Sequence, residues 1–287
     1  MKIMSMICVM AQAAGPAPAI VGSLPHGIQA DPFYTRYVDA GGIPVLASAR
    51  TPPRALLLAR EIVQGMLIRR PDIRRTLIAQ GERVVVMAAE EGTLDVPEQR
   101  DWKKPARDDP RLTVCERKHY DVRIGRLSDR DYWNARARGM GGILTTAAAE
   151  NLLAGPGDRY HGQNIFVHEF AHVILRAAQV ADPALHARVE RAYADAMKRG
   201  AWAGEYAATT FEEYWAVGTQ FWFETGRIAT FDQVRVLSPD DLRSYDPALY
   251  GLLAEVYAGH RLAGDLFWRH PDRVPPGPLP KFTAEVC

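Results

Sequence analysis

Cysteine is scarce in this chain, with three in 287 residues, at positions 8, 115 and 287. So few exclude a disulfide-dense scaffold and leave room for a single bridge, between Cys115 and Cys287 if the N-terminus is removed. Charge of one sign is also missing. Thirty-five basic residues stand against 34 acidic ones, which gives no electrostatic reason to expect nucleic acid or an anionic membrane as partner. No apolar run approaches the roughly 18 to 20 residues that span a bilayer, and no internal repeat marks a solenoid or array.

What is present is ordinary globular composition, 47% apolar and 24% charged, enough for one large or two small cores. The N-terminus stands apart. Lys2 precedes the short apolar run Ile3 to Met10, and Ala11-Gln12-Ala13 matches the small-residue pattern of signal cleavage. Residues 1–13 are therefore expected to be a secretion signal, placing the protein outside the cell or in a periplasm. A hydrophobic start to a cytoplasmic protein is the alternative. Residues 14–30, rich in Gly, Pro and Ala, read as a flexible lead.

Residues 31–158 read as an α/β portion. Ile43 to Leu46 reads as a short buried strand or turn, Arg54 to Arg70 has helical apolar spacing and stops at Pro71, and Ile73 to Gln80 looks like a second helical piece closed by Gly81. Arg83 to Met87 has the β-branched content of a central strand. Gly92 to Asp131 is polar and proline-bearing and reads mostly as loop, an insertion before the strand Ile143 to Thr146. Residues 159–260 read as almost all helix: a segment beginning near Asn164, then Pro183 to Lys198, Thr210 to Thr225, and Pro247 to Gly259 opened by Asp246 as N-cap. Residues 261–287 form an irregular tail. The fold class expected is α+β.

One helix carries the chemistry. His168-Glu169-Phe170-Ala171-His172 places two histidines four residues apart, one above the other on a helix face, where both imidazoles can reach one ion. Glu169, one position on, is turned toward a metal-bound water rather than the metal, the place of a general base. The surrounding segment is apolar on every side, with Ile165, Phe166, Val167, Phe170, Val173 and Ile174. Two histidines and a glutamate in such a helix need compensation, which a coordinated ion supplies.

A catalytic zinc takes three protein ligands and keeps one position open. The residues after His172, Val173-Ile174-Leu175-Arg176-Ala177-Ala178-Gln179, lack the histidine-bearing continuation of metzincins. A downstream glutamate is then expected, as in gluzincins. Glu212 and Glu213 both qualify, and each could instead close a capping box with Thr209 or Thr210. Glu213 shares a helix stripe with Ala216, Val217 and Gln220, which favours it over Glu212, whose stripe holds Trp215, Thr219 and Trp222.

Together, His168-Glu169-Phe170-Ala171-His172 and Tyr206-Ala207-Ala208-Thr209-Thr210-Phe211-Glu212-Glu213-Tyr214-Trp215-Ala216 resemble the catalytic domain of anthrax lethal factor and the related Pro-Pro endopeptidases. Their pattern is a tyrosine, six residues, a ligand glutamate, two aromatics and alanine. The resemblance covers Arg159 to Trp222. It implies a zincin-like metallopeptidase fold, a small mixed sheet with an active-site helix and a helical C-terminal subdomain. It also implies one Zn2+ per chain held by His168, His172 and Glu213, Glu169 as base, and Tyr206 as hydroxyl donor to the oxyanion. The pattern breaks at Val217, where gluzincins place a carboxylate that orients a histidine, so another group or a backbone carbonyl must do so here.

The function expected is zinc-dependent hydrolysis, with a peptide or protein as substrate partner and Ile143 to Thr146 as the sheet edge that would hold it. Two alternatives share these residues. One is a zincin-fold zinc-binding protein without peptidase activity, which Val217 favours. The other is a metal-dependent hydrolase of a non-peptide carbonyl. Oligomeric state leaves no mark on the sequence.

Overall fold

The computed structural model describes residues 20–160, 162–231, 234–274 and 276–277. The expected signal at 1–13, Cys8, Cys287 and His161 lie outside them. Cys115 is disulfide-bonded.

A four-stranded mixed sheet organises the first half, with strands β1 (Arg36–Asp39), β2 (Pro44–Ala47), β3 (Arg83–Met87) and β4 (Leu144–Ala148) side by side in that order. β1 and β2 form an antiparallel hairpin. Its turn needs left-handed backbone at Gly41 and Gly42, φ +72° and +93°, and the Asp39 carboxylate accepts both of their amides at 2.9 and 2.8 Å. β2–β3 and β3–β4 run parallel, so each pair needs a long crossover. The first is α1 (Pro53–Met66) and α2 (Pro71–Ala79), both with proline in the first turn, where no amide donor is missed. α1 turns Leu56, Ala59, Ile62, Val63 and Met66 inward against the sheet.

The second crossover departs from the loop expected over Gly92 to Asp131. It contains α3 (Val114–Lys118), a π-turn at Asp121–Gly125 and the start of α4 (Asp129–Arg136). Leu112, Tyr120, Ile124 and Tyr132 bury a small core of their own there. Helices of one or two turns show too little periodicity to read. Their caps were visible in the chain, however, since Thr113 accepts from Glu116 N and Ser128 from Asp131 N.

Beyond β4 come α5 (Ala149–Leu152), α6 (Ile165–Ala181), α7 (Pro183–Lys198) and α8 (Phe211–Trp222). The stretch to Gly259 is less helical than its composition implied. An antiparallel hairpin, β5 (Ala229–Phe231) with β6 (Val234–Val236), and a short α9 (Pro239–Tyr245) precede α10 (Pro247–Val256). Asp246 caps α10 through Leu249 N at 3.1 Å while also accepting from the Tyr214 hydroxyl and the Trp202 indole. The whole is an α+β fold with a mixed sheet on one side of α6 and a helical layer on the other. Among the described residues no helix is long and apolar enough to cross a membrane.

Glu82 ties the sheet to α6. Buried at the start of β3, it accepts from the Thr145 hydroxyl at 2.6 Å and from Arg176 of α6 at 2.7 Å. Burial nevertheless pushes its carboxyl up to about 7 against the pull of Thr145 and Arg176. A raised carboxyl pKa stabilises the fold fully below the unfolded value near 4.5 and loses that contribution as pH rises through about 7. Over this window the loss is on the order of 3 kcal/mol. Glu82→Gln should therefore flatten the fall in Tm between pH 5 and 8; parallel wild-type and variant profiles would show that Glu82 does not titrate there.

Candidate metal centre

α6 enters the interior because its first turn is held from three sides. Asn164 caps it, accepting from Val167 N at 3.2 Å, and donates to Asp265 at 2.7 Å. Asn151 of α5 accepts from Ile165 N and donates to the Gln163 carbonyl, 2.9 and 2.8 Å. α8 lies against α6, with the Trp215 indole donating to the Ala171 carbonyl at 3.1 Å. Thr210 caps α8 through Glu213 N at 3.3 Å. The Glu213 side chain does not close a capping box but turns toward α6.

There His168, His172 and Glu213 form a group that could hold a metal ion, with one ligand atom from each within 4.8 Å of the others. The two Nε2 atoms stand 3.2 Å apart, and Glu213 Oε2 lies 3.0 and 3.5 Å from them. Glu213 Oε2 is buried yet makes no hydrogen bond. An orphaned carboxylate oxygen and two imidazole nitrogens facing one point satisfy each other poorly but suit a shared cation well. The electrostatics agree. Burial opposes charge on His168, yet Glu213 and Glu169 hold its pKa up to about 9. Burial likewise opposes charge on Glu213, yet the two imidazoles hold it well below the usual carboxylate range. The cluster demands positive charge, and a divalent ion would supply it. Nitrogen and carboxylate donors together fit zinc.

The remaining two sequence candidates lie beside this group. Tyr206 sits on a short 3-10 turn, stacks on the His168 ring at 6.3 Å between centroids and donates to Glu213 Oε1 at 3.1 Å. Burial, then the charges of Glu213 and Glu169, hold its phenol far above the usual value. Glu169 accepts from Gly141 N at 2.7 Å. All five residues line one cleft of about 710 Å3, walled on the far side by Tyr132, Trp133 and Arg136 of α4. Pro105, Arg111, Leu112 and Glu116, from the expected insertion, line the cleft as well.

Comparison with known proteins adds little. No family model matches the chain, and no curated protein matches it. A solved structure, the Pro-Pro endopeptidase PPEP-2 from Paenibacillus alvei, is similar at a TM-score of 0.44 and 15% identity, over 74% of this chain and 97% of that one.

Two features of the site escaped sequence reasoning. Val217 is apolar and packs at the core's edge, and the histidine-orienting role falls to Gln220. Its Oε1 lies 3.2 Å from His168 Nδ1 while its Nε2 donates to the Asn164 carbonyl at 3.1 Å. An amide anchored in this way fixes the ring with Nε2 toward the ligand cluster. Gln220 lay on the Glu213 stripe, which was the available signal. Gln220→Leu should lower metal affinity about 10–100-fold with the fold retained, measured by competition with a chromogenic chelator. Unchanged affinity would mean the ring is held otherwise. The second feature concerns the expected substrate edge. β4 is the edge strand, but Thr146 already pairs through both amide and carbonyl with Met140, at 2.9 and 3.3 Å. A residue preceding the strand has folded back along its outer rim, so the Ile143 to Thr146 edge is not open there to a substrate.

Proposed function

We propose that the protein is a zinc-dependent hydrolase of the gluzincin type, a metalloendopeptidase on a zincin-like fold. The observation carrying this reading is the convergence of His168 Nε2, His172 Nε2 and Glu213 Oε2 in one cleft with Glu169 and Tyr206. These three residues would hold the ion, which when bound activates water and polarises a carbonyl. Glu169 accepts the proton of the attacking water and returns it to the leaving amine. Tyr206, half open to the cleft, presents its hydroxyl to the charge that develops on the carbonyl oxygen. Gln220 keeps His168 in register. Tyr132 and Trp133 line the same cleft beside these groups.

A structural ion would need neither a base nor a hydroxyl donor, and Gln220 supplies the support that Val217 lacks. Both points favour catalysis over a binding protein. Export is the location we propose, on residues 1–13 read as a secretion signal. The test is metal analysis of purified protein together with cleavage of a proteome-derived peptide library, with and without chelator. Chelator-sensitive peptide cleavage is the expected result. A protein that binds zinc and cleaves no peptide would return the site to the non-peptide or binding readings, and one that binds no metal would end the proposal.

A further inference from the structure

We infer that the Gly139-Met140-Gly141 segment is a positioning device for Glu169, with the Gly141 amide holding one carboxylate oxygen so that the other faces the cleft. The inference rests on the reading of Glu169 as general base. It begins from the 2.7 Å hydrogen bond from Gly141 N to Glu169 Oε2. That contact is not an accident of a loose loop, because the segment is fastened on each side. Just before it, the buried Arg138 guanidinium pairs with Glu150 at 2.7 and 3.0 Å and donates to the carbonyls of Ala88 and Glu91, while the Arg138 amide donates to the Tyr160 hydroxyl at 2.6 Å. In its middle, Met140 forms the two-way rung with Thr146 of β4.

Alternation along extended backbone then decides the rest. Since both Met140 groups face β4, the Gly141 amide is left free to face the other way, onto Glu169. Close approach to α6 also explains the glycines. A Cβ at Gly141 would lie 2.8 Å from the Glu169 carbonyl oxygen and 3.2 Å from His172 Cβ. One at Gly139 would lie 2.9 Å from Ile165 Cγ2 and 3.2 Å from the Thr146 carbonyl. Only a segment without side chains at these positions can bring an amide onto the carboxylate. The carboxylate is thereby kept from swinging onto the ligand cluster, where it would compete with Glu213, and its free oxygen is aimed at the place a water must occupy.

The test compares amide hydrogen exchange at Gly141, by NMR on glycine-labelled, metal-loaded protein, between wild type and Glu169→Ala. Gly141 is exposed, so its protection depends on the carboxylate rather than on burial. Wild type should exchange about 10–100-fold more slowly, the value of a hydrogen bond to a charged group. Equal rates in the two proteins would overturn the inference. The comparison needs no substrate, so it stands apart from the search for cleavage. A protein that binds zinc and shows the protection yet cleaves nothing supports the positioning and counts against the peptidase reading. Where a cleaved peptide is in hand, Gly141→Ala should lower kcat per bound zinc at least ~10-fold with KM unchanged. A loss carried by KM or by zinc content instead would make the segment merely structural and overturn the inference.

Discussion

Glu169→Gln should retain zinc and lose peptide cleavage by about 10²–10⁴-fold, the usual worth of a positioned general base, if Glu169 has the role proposed for it. The two effects separate because the roles are separate in space. The candidate ligand atoms belong to His168, His172 and Glu213, while the Glu169 carboxylate is held by Gly141 N. Glutamine has the shape of glutamate and keeps a carbonyl oxygen for Gly141, so the helix and its neighbours are undisturbed. It cannot take a proton from water at neutral pH, so the attack loses its base. The measurement pairs zinc content by atomic absorption with kcat/KM on the best peptide from the library. Loss of zinc in the variant would make Glu169 a ligand, and undiminished cleavage would remove it from the chemistry altogether.

The second large effect is on the metal itself. Glu213→Ala should cost more than the ~10–100-fold in affinity typical of residues that only orient ligands, because it removes one of three donors and leaves two histidines. Glu212→Ala should leave affinity unchanged. The two glutamates are neighbours, and on a helix neighbours point about 100° apart. Thr210 fixes the register by accepting from Glu213 N, and from that position the Glu213 carboxylate reaches 3.0 Å from His168 Nε2. Chelator competition on both variants decides the matter. If Glu212→Ala alone releases zinc, the arrangement of α8 against α6 described here is wrong.

Much of the fold was legible because its elements carry strong local signals. Helices stand on both sides of Pro71, though the first ends at Met66 rather than Arg70 and the second begins at Pro71 itself, the run Arg83 to Met87 is a central strand, and Pro183 to Lys198 is a helix with those same ends. The failures have a common cause. α3, α4 and the β5–β6 hairpin are each too short for periodicity to emerge, and their existence depends on what they pack against. Leu112, Tyr120, Ile124 and Tyr132 cover one another in a small core that only their meeting in space creates. The substrate edge failed for another reason. Whether the rim of a strand is free depends on which distant or preceding residue folds onto it, and here Met140 does.

The sequence by itself determined the kind of chemistry available. Helical periodicity obliges His168 and His172 to share a face, an apolar helix obliges them to find compensation, and the absence of a metzincin continuation leaves the third ligand to a downstream glutamate. Those inferences need only the geometry of one helix. Which glutamate, what stands in for the carboxylate missing at Val217, and what holds Glu169 are relations between elements. They were decided by α8 lying against α6, which brings Glu213 and Gln220 to the two ends of the His168 ring. They were decided equally by a glycine segment, pinned by Arg138 and by β4, that lies near enough to α6 to place an amide on the Glu169 carboxylate. Distances of 3 Å between residues far apart in the chain follow from packing, and packing is not written in any local pattern.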